Sequence, residues 1–199
     1  MIRLALLLLA PSLALTPKVV SHKALPSPNG RLIATILTFK SPYPYGGNPD
    51  GIEIRDHAGN LIASRDHSIY PNQGYGVERS AWTKDSRFFV YSVEECGGHQ
   101  PWRHSIFFFD RRRDRFYSLD DAIGPITAGF EIETADTITT QARFVKKETK
   151  GVQILPGPAD DPMDRNVSID LHWLAKHMPS KAVSSNAKDR ALKRRAEGD

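Results

Sequence analysis

Cysteine is nearly absent from this sequence, since Cys96 is the only one in 199 residues. A chain with one cysteine cannot form an internal disulfide, so its stability must come from a packed core. Burial, a reactive thiol and a bridge to another chain all remain open for Cys96.

The sequence also lacks helical periodicity and the common catalytic motifs. Apolar residues at helical spacing are almost missing before residue 168, which argues against a helical bundle. The chain contains no Gly-x-Ser-x-Gly elbow, no His-Glu-x-x-His pair and no phosphate-binding glycine loop. The sequence therefore favours a protein without catalysis over the common hydrolase and nucleotide-binding classes.

Only one long apolar run is present, from Leu4 to Ala10. Arg3 precedes it, and small residues follow at Ser12 and Ala14, which is the pattern of a secretory signal peptide over residues 1–15. The run is too short for a membrane span, which needs about 20 apolar residues. We therefore expect a secreted or periplasmic protein with no transmembrane segment after signal cleavage.

The body of the chain carries no excess of positive charge, although the pI of the whole sequence is about 9.2. Of 27 lysines and arginines, Arg3 belongs to the predicted signal and six belong to residues 180–199, which also hold three of the 23 acids. The remaining 20 basic and 20 acidic residues cancel each other in formal charge. We expect a single β-rich domain over 16–179, a disordered basic tail over 180–199 and no nucleic-acid partner; attraction of the tail to an anionic envelope polymer stays open.

What the sequence does contain is a series of short β-rich runs separated by turn residues, and it predicts an all-β protein. Ile106–Phe109 and Phe88–Tyr91 are apolar on both faces, as in strands buried between neighbours. A final strand and a short helix are predicted within 168–178. The six clearest strands are Arg31–Phe39, Gly51–Asp56, Leu61–Arg65, Arg87–Val93, Ser105–Asp110 and Arg115–Leu119.

These runs repeat along the chain. The corner Ser27-Pro28-Asn29-Gly30-Arg31 matches Thr83-Lys84-Asp85-Ser86-Arg87 at an offset of 56 residues, and each corner leads into an apolar strand. The strands ending in Asp56 and Asp110 match at an offset of 54, and a fainter third copy runs from Thr134 to Leu171. The pattern predicts about three units of repeated antiparallel β-meanders.

The two corners resemble those of WD40-like repeats in TolB-type β-propellers, whose blades carry a Ser-Pro-Asp-Gly-Lys/Arg corner before an apolar strand. The resemblance implies a propeller-like fold with about three blade-like units, whereas closed propellers have 4 to 8 blades. A partial propeller, a smaller sheet assembly, a ring completed by another copy of the chain and ordinary hairpin corners of a β-sandwich all remain open.

Two turn-rich loops, 40–50 and 94–104, interrupt the first two units at matching positions. Their aromatic residues Tyr43, Tyr45 and Trp102 are candidates for contact with a protein or cell-envelope component, because loops carry function and aromatic residues concentrate at interfaces. We therefore expect an exported, non-catalytic binding module that uses these loops, with no cofactor.

The alternative is an exported metal-dependent enzyme centred on the second loop. Glu95, Cys96, His99 and His104 bring a carboxylate, a thiol and two imidazoles close together in sequence, and these groups can bind zinc. The spacing is permissive, and no second pair of ligands completes a tetrahedral site.

Overall fold

The computed structural model describes residues 18–41, 48–67, 75–95, 103–145, 150–159 and 161–178. These residues form β1 (Val19–Pro26), β2 (Leu32–Phe39), β3 (Asp50–Asp56), β4 (Leu61–Asp66), β5 (Tyr75–Trp82), β6 (Phe88–Glu95), β7 (His104–Asp110), β8 (Arg115–Ser118), α1 (Asp120–Ile123), β9 (Glu131–Ile132), β10 (Thr137–Arg143), β11 (Val152–Ile154), β12 (Asp164–Asp170) and α2 (Leu171–His177). The all-β prediction is confirmed, and each of the six predicted strands is present.

Three antiparallel four-stranded sheets make up this fold. Sheet 1 has the order β1-β2-β3-β4 and sheet 2 the order β5-β6-β7-β8, so both are meanders in which neighbouring strands follow each other in sequence. Sheet 3 has the order β11-β12-β10-β9. Strands β1 and β5 were not among the predicted strands, and each forms an edge of its sheet.

The corner before β2 is built by side-chain bonds to the backbone. The hydroxyl of Ser27 accepts the Leu32 N–H at 3.0 Å and donates to Asn29 Oδ1 at 3.0 Å. Asn29 Oδ1 also accepts the Arg31 N–H at 3.1 Å. A hydroxyl residue and an Asn or Asp two residues later are therefore what this turn requires.

The corner before β6 uses the same bonds. The hydroxyl of Thr83 accepts the Phe88 N–H at 3.0 Å and donates to Asp85 Oδ1 at 2.7 Å. Asp85 Oδ1 also accepts the Arg87 N–H at 3.0 Å. The sequence match between the two corners thus corresponds to a shared hydrogen-bond pattern.

Each of these two corners also contains one residue with left-handed backbone. Gly30 has φ 67° and Ser86 has φ 61°, so Ser86 adopts a conformation that usually favours glycine. Its hydroxyl accepts the Asn29 N–H at 3.0 Å and so joins the two corners. The equivalent ends of sheets 1 and 2 therefore lie side by side.

Sheet 2 lies between the other two sheets and is apolar on both faces. One face packs with sheet 1 in a cluster that includes Phe89, Tyr91, Phe107 and Phe109. The other face packs with sheet 3 and the two helices in a cluster that includes Phe88, Val90, Ile106 and Phe108. The expectation that these two runs are buried on both sides is confirmed.

The third unit keeps the corner but departs from the meander. Thr134 accepts the Thr137 N–H at 3.1 Å and donates to Asp136 Oδ1 at 3.1 Å, as a shorter form of the other corners. Strand β11 then pairs with the far edge of β12, which breaks the consecutive order. The predicted final strand and helix are present as β12 and α2, and Asp170 caps α2 by accepting the Trp173 N–H at 2.8 Å.

Candidate functional site: a cleft between two open strand edges

A cleft of about 440 Å³ separates the edge strands β1 and β5. Within the described chain, no strand pairs with the second edge of either β1 or β5. Open strand edges present unpaired backbone N–H and C=O groups. The polar residues on the walls of this cleft are Ser21, His22, Lys23, Thr38, Asp50, Glu78, Arg79 and Ser80.

The direction of the β1 backbone follows from the bond that closes the corner before β2. The Ser27 N–H donates to the Leu32 carbonyl at 2.8 Å, so in the β1–β2 register the backbone groups of Leu25, two residues earlier, also point toward β2. The carbonyl of Leu25 accepts in addition the indole N–H of Trp82 in β5 at 2.9 Å, at one end of the cleft. Residues two apart on a strand direct their N–H and C=O to the same edge. The backbone groups of Lys23 and Ser21 therefore point toward β2 as well, and those of His22 and Ala24 point toward the open edge that faces the cleft.

The β5 edge is capped at the opposite end of the cleft. Asp50 Oδ2 accepts the Val77 N–H at 2.7 Å, which places a carboxylate where a neighbouring strand would supply a carbonyl. Asp50 is only 7% exposed, and its Oδ1 has no hydrogen-bond partner among the described residues. Buried polar atoms are nearly always paired, so this oxygen is a candidate ligand-binding atom.

Charges of both signs line the cleft. Lys23 and Arg79 are basic, whereas Asp50 and Glu78 are acidic. The register between β5 and β6 shifts at Glu78, between Val77 and Arg79, which marks a β-bulge on the open edge. The cleft can therefore pair with both cationic and anionic groups of a ligand.

His104, which was predicted as a metal ligand, holds Glu78 at the rim of the cleft. Its Nδ1 lies 2.9 Å from Glu78 Oε2, and Ser92 donates to the same oxygen at 3.4 Å. The imidazole and the hydroxyl therefore fix the position of the Glu78 carboxylate. Nothing in the sequence indicates this pair, because β5 was not a predicted strand.

A buried histidine lies behind Asp50. His67 is 2% exposed, its Nε2 is 3.0 Å from the Tyr91 hydroxyl, and its backbone N–H donates to the Asp50 carbonyl at 3.2 Å. Burial lowers the pKa of His67 to about 3, with a smaller effect from Arg65. Burial also raises the pKa of Tyr91, so both groups are neutral at neutral pH.

The two predicted loops begin and end beside this cleft. Ser41 donates its N–H to Asn48 Oδ1 at 2.9 Å across the base of the first loop, just before Asp50. Glu94 pairs with His104 at the base of the second. Because the two sheets are joined at equivalent corners, both loop bases lie at the same end of the sheets.

The second loop is further anchored by Asp120. Asp120 Oδ2 accepts the Ser105 hydroxyl at 2.7 Å and Arg103 Nη2 at 3.0 Å. Burial raises the pKa of Asp120, while the bonds from Ser105 and Arg103 oppose that effect. These contacts fix the chain where it returns from the loop into β7.

The remaining predicted site residues cannot be placed around the cleft. Tyr43, Tyr45, Cys96, His99 and Trp102 lie outside the described residues, and Glu95 is described only as the last residue of β6. Among the described residues there is no group of three or more His, Cys, Asp or Glu side chains that could hold a metal ion. The zinc site of the second loop therefore stays a prediction.

The acidic turn that leads into β12 is held by Arg143. Asp164 is buried and accepts Arg143 Nε at 2.8 Å, and Asp161 accepts Arg143 Nη2 at 2.9 Å. The Arg143 bond lowers the pKa of Asp164. This turn therefore closes one end of sheet 3 through an ion pair.

Comparison with known proteins adds no family. No protein-family model matches the chain, and no curated protein matches it significantly. Neither helix of the described part is long and apolar enough to cross a membrane. The fold and the cleft define the chain by structural class, as a mostly β protein of three stacked antiparallel sheets with two open edges facing one cleft.

Proposed function

We propose that the protein is an exported, non-catalytic binding module that holds an extended segment of a partner protein in the cleft between β1 and β5. The observation that carries this proposal is the pair of open strand edges that face the same polar cleft. An extended peptide can add to such an edge through main-chain hydrogen bonds.

The backbone geometry supports strand addition to β1. His22 and Ala24 each offer one N–H and one C=O toward the open edge, which is the alternation that an added antiparallel or parallel strand needs. Neighbouring strands lie about 4.8 Å apart, so a strand added to β1 would lie within the cleft. The main chain of the segment supplies affinity irrespective of its side chains.

The charged walls then select the sequence of the segment. The unpartnered Oδ1 of Asp50 favours a basic or amide side chain, and Glu78 favours a basic one. Lys23 and Arg79 favour an acidic residue on the same segment. The preferred ligand is therefore an extended segment that carries both charges.

The propeller-like interpretation of the fold is part of this proposal. Shared corner bonds and face-to-face packing of sheets 1 and 2 support a blade-like relation to TolB-type repeats. In closed propellers the blades surround a central channel. An assembly that does not close into a ring would leave the first strands of its blades accessible, as β1 and β5 are here.

The loop aromatics predicted from the sequence are also part of this proposal. Tyr43 and Tyr45 belong to the loop that leads into Asp50, and Trp102 belongs to the loop that leads into His104. Tyrosine and tryptophan dominate the binding energy of many protein interfaces. We place these three residues in contact with the partner beyond the ends of the bound segment.

Replacing His22 by Pro tests the main-chain part of the proposal. Proline removes an N–H that points toward the open edge and is tolerated on edge strands, so the fold should persist. The ligand would be a peptide selected from a displayed random library on the full chain, with affinity measured by calorimetry. We expect H22P to bind it at least about tenfold more weakly than H22A.

The variant H22A is the matched control, because it removes the same imidazole and keeps the N–H. Circular dichroism should be unchanged in both variants. Equal affinities for H22P and H22A would show that the β1 edge does not bind the peptide main chain.

Replacing Tyr43, Tyr45 and Trp102 together by Ala tests the loops. We expect loss of capture of the partner protein in a pull-down, with an unchanged circular dichroism spectrum, since interface aromatics each contribute about 2 kcal/mol or more. If the triple variant captures the partner protein as well as the unmodified protein does, the loops are not part of the proposed binding surface.

A further inference from the structure

A second cleft lies at the opposite end of the sheets, beside the corner before β6. Its volume is about 540 Å³, and Asp85, Arg87, Arg111 and Arg112 line it. Arg111–Arg113 form the turn after β7, and the Arg111 N–H donates to the Arg87 carbonyl at 3.0 Å. The corner and the turn are thereby joined, and three guanidinium groups lie around one cleft.

Arg87 is the fixed member of this group. It is 8% exposed, its Nε lies 3.5 Å from Asp110 Oδ1, and its guanidinium carbon lies 4.6 Å from the centroid of the Phe88 ring. Its Nη1 contacts Nδ1 of His172 in α2. A guanidinium held on several sides keeps its orientation without a ligand, which reduces the entropy lost on binding.

Asp110 does not neutralise the whole cluster. Its buried carboxylate accepts Arg113 Nη1 at 2.8 Å and the Arg112 N–H at 2.9 Å, in addition to the contact with Arg87. Within the described chain, the side chains of Arg111 and Arg112 form no ion pair with a carboxylate. Their positive charges are therefore available to a ligand.

Asp85 is the acid on the cleft wall, and its role is structural. Its Oδ1 accepts the Thr83 hydroxyl and the Arg87 N–H within the corner. In the first corner an uncharged residue, Asn29, accepts the equivalent bonds. The negative charge of Asp85 is therefore not needed for the turn and only weakens the positive potential of the cleft.

We propose that this second cleft binds a phosphate group through Arg87, Arg111 and Arg112. Planar guanidinium groups match phosphate oxygens in bidentate geometry, and such charge-assisted bonds are the strongest that side chains form with oxyanions. The group can belong to free phosphate or to the headgroup of an anionic lipid. The site is separate from the peptide cleft and does not depend on the function proposed for it.

The test uses the full chain and two probes. Inorganic phosphate is titrated against the protein with chemical shifts as the readout, and vesicles of phosphatidylcholine with and without phosphatidylglycerol are tested by cosedimentation. We expect binding to at least one probe and a loss of about tenfold or more in R111Q/R112Q. D85N should bind more tightly than the unmodified protein, since asparagine keeps the corner bonds.

The two probes distinguish the sources of the phosphate. Shifts with inorganic phosphate support a free phosphate, and binding confined to phosphatidylglycerol vesicles supports a lipid headgroup. All variants retain residues 180–199, so the basic tail cannot explain a difference between them.

If the double variant does not fold, R112Q alone tests the site, because Arg112 is exposed and its replacement should leave the fold intact. R112Q should show a smaller loss of binding than the double variant. Binding of neither probe, binding only of nucleic acid or an acidic protein, or unchanged affinity in R111Q/R112Q and R112Q would overturn the proposal.

Discussion

Replacing Phe108 by Ala is expected to lower the free energy of unfolding by about 3–5 kcal/mol. Phe108 is fully buried in the central strand pair of sheet 2. Its ring lies 5.0 Å from that of Tyr117 and 5.8 Å from that of Phe88, between centroids. Alanine would remove these contacts and leave a cavity on the side that faces sheet 3. The surrounding side chains can fill such a cavity only in part.

The matched control is Phe144→Ala, at a phenylalanine that is 71% exposed. Its loss should change the free energy of unfolding by less than about 0.5 kcal/mol. Urea denaturation of both variants measures the difference. Similar values for the two would mean that sheet 2 is not the packed centre between sheets 1 and 3.

Lowering the pH is expected to destabilise the protein through His67. The pKa of His67 is about 3 in the folded protein and 6.5 as its ordinary value, so only the unfolded chain binds a proton between these values. The contribution of neutral His67 is therefore complete above pH 6.5 and is lost as the pH falls. The loss is about 1.4 kcal/mol per pH unit, or about 2 kcal/mol on reaching about pH 5.

The variant H67Q isolates this effect, because glutamine does not titrate. Its free energy of unfolding should fall less steeply than that of the unmodified protein between about pH 6.5 and pH 4. If H67Q and the unmodified protein have the same slope, His67 is not buried in the neutral form.

Strands that are apolar on one or both faces could be predicted from the sequence. The edge strands could not, because Val19–Pro26 is exposed along almost its whole length and shows no apolar alternation. Tyr75–Trp82 is polar at its centre and carries a bulge. These two strands form the candidate cleft, so the cleft was missed together with them.

The polar residues of the cleft could not be recognised from the residues next to them in the sequence. Asp50 follows Pro49 and precedes Gly51, so the sequence there resembles a turn, and Asp50 was assigned to the first loop although it begins β3. Its partner Val77 lies 27 residues away. His67 bonds Tyr91 across two sheets, 24 residues apart. Such contacts depend on sheet packing and cannot be inferred from neighbouring residues.

The sequence repeat predicted the structure correctly at the corners, where the repeated residues form the turn. A hydroxyl residue, a turn and a basic residue before an apolar strand predicted both main corners, and the bonds of Ser27 and Thr83 explain why. Strand order in the third unit depends instead on where β11 pairs, on the far side of β12. No local residue pattern specifies that choice, so the third meander was wrong in its order.

The most direct measurement on the peptide cleft is amide hydrogen exchange of β1, with and without a bound peptide selected on the full chain. The amides of His22 and Ala24 point toward the open edge, whereas those of Lys23 and Ser21 point toward β2. We predict that the His22 and Ala24 amides exchange fast in the free protein and slowly in the complex, while the Lys23 and Ser21 amides exchange slowly in both. Unchanged exchange at His22 and Ala24 in the presence of saturating peptide would contradict strand addition to β1.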